Sequence, residues 1–220
     1  MQTFTTTAPI TAVLDIPAGR IQLIATDRTD TTVEVRPADP AKNRDVQAAE
    51  RAVVSCTDGV LRIHTTPPKN ELTGSGSLEV SVKLPAGSSL EARTAGSELR
   101  TVGRLGDITF DGAYRHIKID EATSLHLTAV DGDVEVARLT GPARITTARG
   151  DITVTEAHRG TLDLRTQYGH IAVAATPGAW ATLHADTTLG TITDTLKNNG
   201  TTELTIHATT AHGDITARAL

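Results

Sequence analysis

Aromatic side chains are scarce in this 220-residue chain: two Phe, two Tyr and one Trp. A core without rings must be built from Ile, Leu, Val and Ala, which suits a narrow interior. It also leaves few stacking platforms for sugars or bases. The single cysteine, Cys56, excludes an intrachain disulfide framework. It lies in the apolar run Ala52-Val53-Val54-Ser55-Cys56, where a buried, inert thiol is expected. No stretch approaches the roughly 20 apolar residues of a membrane-spanning helix. The opening Met1-Gln2-Thr3-Phe4-Thr5 carries neither a basic nor an apolar leader region. A formal net charge of −5 makes no electrostatic case for nucleic acid or an anionic membrane. These absences set the expectation of a cytoplasmic protein with no nucleic-acid and no membrane partner.

What the chain has in excess is threonine, 38 residues of it, and a recurring glycine. Threonine is β-branched and favours strands. Six times from Gly106 onward, glycine is followed by a polar residue and then by Ile or Val. The instances are Gly106-Asp107-Ile108, Gly132-Asp133-Val134, Gly150-Asp151-Ile152, Gly169-His170-Ile171, Gly190-Thr191-Ile192 and Gly213-Asp214-Ile215. From Gly132 onward the spacings are 18, 19, 21 and 23 residues, the period of a solenoid whose repeat is one coil. Within a coil the apolar residues alternate. Leu125, Leu127, Ala129, Val134 and Val136 share one side, while His126, Thr128 and Glu135 share the other. Each coil is then two short strands joined at a glycine corner. Arg115-His116-Ile117-Lys118-Ile119 fits the same pattern with arginine in the glycine position, 17 residues before Gly132.

Residues 1–87 lack this period but hold strand-length apolar patterns at 12–16, 20–24, 32–35, 60–63 and 78–82. Two turns echo each other, Ile16-Pro17-Ala18-Gly19 and Leu84-Pro85-Ala86-Gly87. The stretch 40–51 is the one plausible helix, and 65–77, with Pro67-Pro68 and Gly74-Ser75-Gly76, reads as an exposed loop. The fold class expected is all-β: a β-solenoid of about 18–23 residues per coil over 88–220, beginning near Gly106 with a half-turn. Residues 1–87 form a β-rich capping region, an antiparallel sheet or sandwich.

Several of these segments together resemble a family of bacterial β-strand-repeat proteins, common in actinobacteria and labelled "putative adhesin". The carriers are Thr32-Val33-Glu34-Val35-Arg36-Pro37, Asp45-Val46-Gln47-Ala48-Ala49-Glu50, Val82-Lys83-Leu84-Pro85-Ala86-Gly87-Ser88, the Gly-Asp-Ile/Val units and the closing His212-Gly213-Asp214-Ile215-Thr216. The resemblance implies this repeat fold and no catalytic residues. The chain departs from the family pattern at Arg115-His116, His170 and Thr191, where Gly-Asp or similar is usual.

Searching the residues for chemistry yields little. No serine sits in a Gly-x-Ser-x-Gly elbow, and no glycine-rich phosphate loop precedes a helix. No cofactor is expected. The period is twice that of nine-residue calcium-binding rolls. Trp180, within Pro177-Gly178-Ala179-Trp180, reads as a packing anchor at a coil edge. Exposed threonines such as Thr109, Thr153 and Thr216 read as solvent-face strand formers. The sharpest candidate is the position after the corner glycine, which stacks His116, Asp133, Asp151 and His170 into one exposed binding column. Three readings are open for it: local Asx-type turns, a charge ladder, or a divalent metal site. The function expected is a non-enzymatic scaffold or protein-interaction module. The alternatives are a solenoid that binds carbohydrate or a small ligand, and an enzyme with an unfamiliar site. A protein partner is expected at 65–77, and a homodimer through the C-terminal coil, 206–220.

Overall fold

Alternation with a period of two makes a strand wherever it runs, and a glycine at each end lets the strand turn and stack on its predecessor. The computed structural model describes residues 1–66, 75–114 and 116–220. It shows this logic in two units, Met1–Tyr114 and Arg115–Leu220. The expected boundary at 87/88 falls inside the first unit.

Unit 1 contains β1 (Gln2–Thr5), β2 (Thr11–Thr26), β3 (Asp30–Pro37), α1 (Asn43–Glu50), β4 (Ala52–Thr57), β5 (Val60–Thr65), β6 (Leu78–Pro85), β7 (Ser89–Val102) and β8 (Arg104–Tyr114). The long strand β2 bends at Pro17-Ala18-Gly19 and belongs to two faces. Its first half lies between β5 and β7, its second between β6 and β7, all parallel. β8 continues the first face beyond β7. Antiparallel pairing is confined to the outer strands, β4 on β5 and β1 on β3 on β6. The antiparallel sheet expected here is therefore corrected: the middle of the unit is already parallel coil, because Ile21, Leu23, Leu90 and Leu99 repeat the inward alternation without the glycine period. Coil pairing thus begins well before Gly106. The helix falls within the expected stretch, and the buried Asp45 carboxylate accepts the backbone N–H of Ser77 at 2.9 Å. Cys56 is half-buried rather than buried, and desolvation pushes its thiol up, which keeps it protonated. Residues 67–74, the middle of the expected partner loop, lie outside the described residues.

Unit 2 holds β9 (Ile117–Asp131), β10 (Val134–Leu139), β11 (Ala143–Thr146), β12 (Ile152–Ala157), β13 (Gly160–Tyr168), β14 (Ile171–Ala175), β15 (Ala181–Leu189), β16 (Ile192–Thr195), β17 (Leu204–His212) and β18 (Ile215–Ala219). One face stacks β9, β10, β12, β14, β18 and β16 in that order. The other stacks β9, β11, β13, β17 and β15. Every one of these pairings is parallel. Inward rows such as Ile117, Val134, Ile152, Ile171 and Ile215 are buried throughout.

The order on each face exposes a departure from simple winding. After β14 the chain skips one position, lays down β15 and β16, then returns to fill the gap with β17 and β18. The expectation that 206–220 ends the stack is corrected: β17 is paired on both sides, by β13 and β15, and β18 by β14 and β16. The last layer in space is β15–β16. There Leu183 is only half-buried and Ile192 is 47% exposed, although both belong to inward rows.

Corner glycines set the stacking distance. A Cβ on Gly150 would lie 2.3 Å from the Gly132 carbonyl oxygen, one on Gly169 2.1 Å from that of Gly150, and one on Gly213 2.0 Å from that of Gly169. All three have positive φ. Gly178 also has positive φ, 84°, but nothing lies within 4 Å of its missing Cβ. Gly178→Ala should therefore cost about 1 kcal/mol, the left-handed penalty alone. Gly169→Ala must in addition push two coils apart and should cost at least about 3 kcal/mol. Urea midpoints of the two variants against the parent check the difference.

Candidate functional site

Parallel strands that meet at a corner leave the N–H of the residue after each glycine without a ladder partner. In unit 2 the layer beneath supplies one from its side chain. Asp133 Oδ1 accepts the N–H of Asp151 at 2.9 Å, and Asp151 Oδ1 accepts that of His170 at 2.7 Å. His170 Nδ1 accepts the N–H of Asp214 at 2.9 Å, and Asp214 Oδ1 accepts both the N–H and the hydroxyl of Thr191 at 2.8 Å. His116 Nδ1 lies 3.7 Å from Asp133 Oδ2 at the start of the row. The four expected residues are therefore brought into one column, together with Asp214 and Thr191. Thr191 follows His170 in chain order, but the returning strand puts Asp214 beside His170 and Thr191 beyond it.

These bonds run between coils, so the own-corner Asx turn is corrected to a cap on the neighbouring coil. The chemistry explains the residue choice. An Asp oxygen and a His Nδ1 each present an acceptor at short reach from the backbone. Accepting the Asp214 N–H requires His170 Nδ1 to be unprotonated, which assigns its ring proton to Nε2. Among the described residues, no group of three His, Cys, Asp or Glu side chains is arranged to hold a metal ion.

A second row supports the same corner from inside. Thr166 Oγ1 donates to the Gly150 carbonyl at 3.1 Å, Thr210 to that of Gly169 at 3.0 Å and Thr187 to that of Gly213 at 3.0 Å. Thr166 and Thr210 are buried. The corner motif is thus Thr-x-x-Gly-acceptor-Ile/Val, and the threonine three residues before the glycine was the unread signal. Outside the corner, the rings of Tyr168 and His212 stack nearly parallel, 4.8 Å between centroids, with Tyr168 half exposed.

At the opposite corner of unit 2, the β14–β15 crossover leaves an open groove of about 820 Å³. Its walls include Pro142, His158, Arg159, Pro177, Ala179 and Glu203. Glu156 anchors its edge: Oε2 accepts from Arg138 Nε at 3.1 Å and Oε1 from the Thr176 hydroxyl at 3.1 Å. The Arg138 guanidinium first, then the Thr176 hydroxyl, hold the Glu156 carboxyl below its usual range. His158 Nε2 lies 3.3 Å from Glu156 Oε1 but is misaligned for a hydrogen bond. Arg159 is exposed and has no ion-pair partner among the described residues. Trp180 is half-buried, and its backbone carbonyl accepts the N–H of Glu203 at 2.9 Å.

The column gives a pH expectation. The Thr191 N–H, followed by its hydroxyl, holds the Asp214 carboxyl below its usual range. A depressed folded-state pKa contributes stability that is complete above the unfolded value of about 3.9 and lost as pH falls through the folded one. Asp214→Asn keeps a neutral acceptor for the Thr191 N–H. Its deficit in melting temperature should be present near about pH 7 and should shrink as pH falls below about 4. A deficit unchanged with pH would show that the charge on Asp214 contributes nothing.

No curated protein matches the chain. A crystal structure of a "putative adhesin" from Bacteroides fragilis has the same fold, with a TM-score of 0.55 at 13% identity, over 98% of this chain and 95% of that one. A crystal structure of a "putative lipid binding protein" from Parabacteroides distasonis aligns over 98% of this chain and 95% of that one at 11% identity, with a TM-score of 0.39. The sequence profile of the Toastrack family, DUF4097, matches residues 13–219, which takes in both units and every glycine corner. The chain belongs to that Toastrack family.

Proposed function

We propose that this chain is a non-enzymatic scaffold, a protein-interaction module whose rigid parallel coils hold a contact surface in place. One observation carries the reading: the corner groups best suited to acid–base chemistry are already committed to the stack. Asp133, Asp151, His170 and Asp214 each accept a backbone N–H from the next coil. Protonating any of them, as base catalysis requires, would weaken the cap it provides.

The contact surface we assign is the crossover groove. It combines the apolar walls of Pro142, Pro177 and Ala179 with the exposed Arg159 and Glu203. Arginine beside apolar area is the mixture found at the centre of protein interfaces. The groove also lies on the longest excursions of unit 2 from regular coil, where solenoids carry their binding residues. A carbohydrate or small ligand is the second reading, favoured by the groove's volume, which falls in the usual range of about 300–1,000 Å³ for such sites.

A photo-crosslinking residue at position 159 separates these readings from one at Thr109 on an exposed strand face. In the cell that produces the protein, position 159 should crosslink to a defined polypeptide and position 109 should not. Equal labelling from both positions would remove the groove assignment. A small molecule retained in native mass spectra and lost in Arg159→Glu would favour the ligand reading.

A further inference from the structure

The pairing of unit 2 stops at β15 and β16. Among the described residues each has a strand on one side only, β17 and β18 respectively. The inward rows are uncovered at this layer. Ile192 is 47% exposed, whereas Ile215, one layer below in the same row, is 1% exposed. Leu189 beside the corner is 60% exposed. The strand Ala181–Leu189 contains no Lys, no Arg and no Pro, the residues that ordinarily blunt an open edge.

The backbone shows which part of the edge is free. The Trp180 carbonyl faces β17, where it accepts the N–H of Leu204 at 3.2 Å, and the Ala181 N–H faces the other way, to the Lys197 carbonyl at 2.9 Å. Alternation along β15 then turns the N–H and C=O groups of Leu183, Ala185 and Thr187 to the open side. On the outward face of the same stretch stand His184 and Asp186, both exposed. His184 is stacked on His207 of β17, 5.0 Å between ring centroids. The Asp186 side chain has no hydrogen bond or ion pair among the described residues.

We propose that this end binds a second copy of the same chain, end to end, through antiparallel pairing of β15 with β15 centred on Ala185. A two-fold axis through Ala185 sets each residue opposite its mirror position. His184 then faces Asp186 of the second copy, and Asp186 faces its His184. Leu183 faces Thr187, and these are the hydrogen-bonding positions left open by the fold. His184 and Asp186 fall at the non-hydrogen-bonded positions, where opposed side chains approach most closely. Centring one residue earlier sets two imidazoles opposite each other, and one residue later sets two carboxylates opposite each other. Only the register centred on Ala185 sets a His184 ring N–H, a donor, opposite the Asp186 carboxylate, an acceptor, so donor–acceptor complementarity selects it.

Sedimentation of the full chain at micromolar concentration tests this, and its outcome is independent of crosslinking from position 159. The parent should sediment as a dimer. His184→Asp sets like charges opposite each other twice and should weaken the dimer about tenfold. The exchange His184→Asp with Asp186→His restores opposite pairs and should restore the dimer. Ala185→Pro removes an N–H that no internal hydrogen bond uses, and should give monomer with an unchanged circular dichroism spectrum. If the proline variant does not fold, the charge exchange alone decides. A monomeric parent, a dimer indifferent to these changes, or an open series of larger species would overturn the proposal.

Discussion

Everything in unit 2 depends on carbonyl oxygens passing over glycines at a distance that excludes a Cβ. The Gly132, Gly150, Gly169 and Gly213 carbonyls each lie within 2.3 Å of where the next corner's Cβ would be. Because the corners are this close, the strands on both faces stay in ladder register, and because they stay in register, inward rows of Ile, Leu and Val stack on their own kind. That is how a core with so few rings is built from close-stacked aliphatic rows. Side-chain caps and threonine donors at the corner are consequences of the same closeness. A neighbour within hydrogen-bond reach exists only because glycine has let it approach.

This constraint also explains where sequence reading succeeded. The six Gly-polar-Ile/Val units are legible because the corner tolerates one residue at one position and two or three at the next two. Inward alternation then follows from the period of two, and Leu125, Val134, Ile152 and Leu162 are all buried as it requires. Unit 1 was harder to read. Its bend at Gly19 packs against Leu78 and that at Gly103 against Ala25, so its close approaches exist without repeating in chain order. The Asp58-Gly59 pair, with φ of 51° and 74°, was an overlooked signal of the two-residue hairpin between β4 and β5.

The order of coils was the part that chain position alone does not reveal. Parallel pairing is indifferent to connectivity, so β17 can enter between β13 and β15 with the same bonds it would make at the end of the stack. The cost of doing so is length, since the chain must climb past an empty position and come back. The spacing of corner glycines rises from 18 and 19 residues to 21 and 23 over the skip and the return. The added residues lie in the crossings, 176–180 and 196–203, rather than in the strands. Reading that drift as connectivity rather than as loose repetition would have moved the end of the stack from the C-terminal coil to β15–β16.

The same reordering accounts for the irregular column residues. A residue after the corner glycine must offer an acceptor only if another coil lies above it. Asp133, Asp151, His170 and Asp214 each have such a coil, and each supplies an oxygen or a ring nitrogen to it. Thr191 has none, and it uses its hydroxyl to donate downward to Asp214 instead. In chain order Thr191 is an unexplained lapse between His170 and Asp214. In spatial order it is the last member of the row, where the demand for an acceptor ceases. The departure from the Asp pattern therefore marks the physical end of the stack, which is also where backbone hydrogen-bonding groups and apolar side chains are left uncovered.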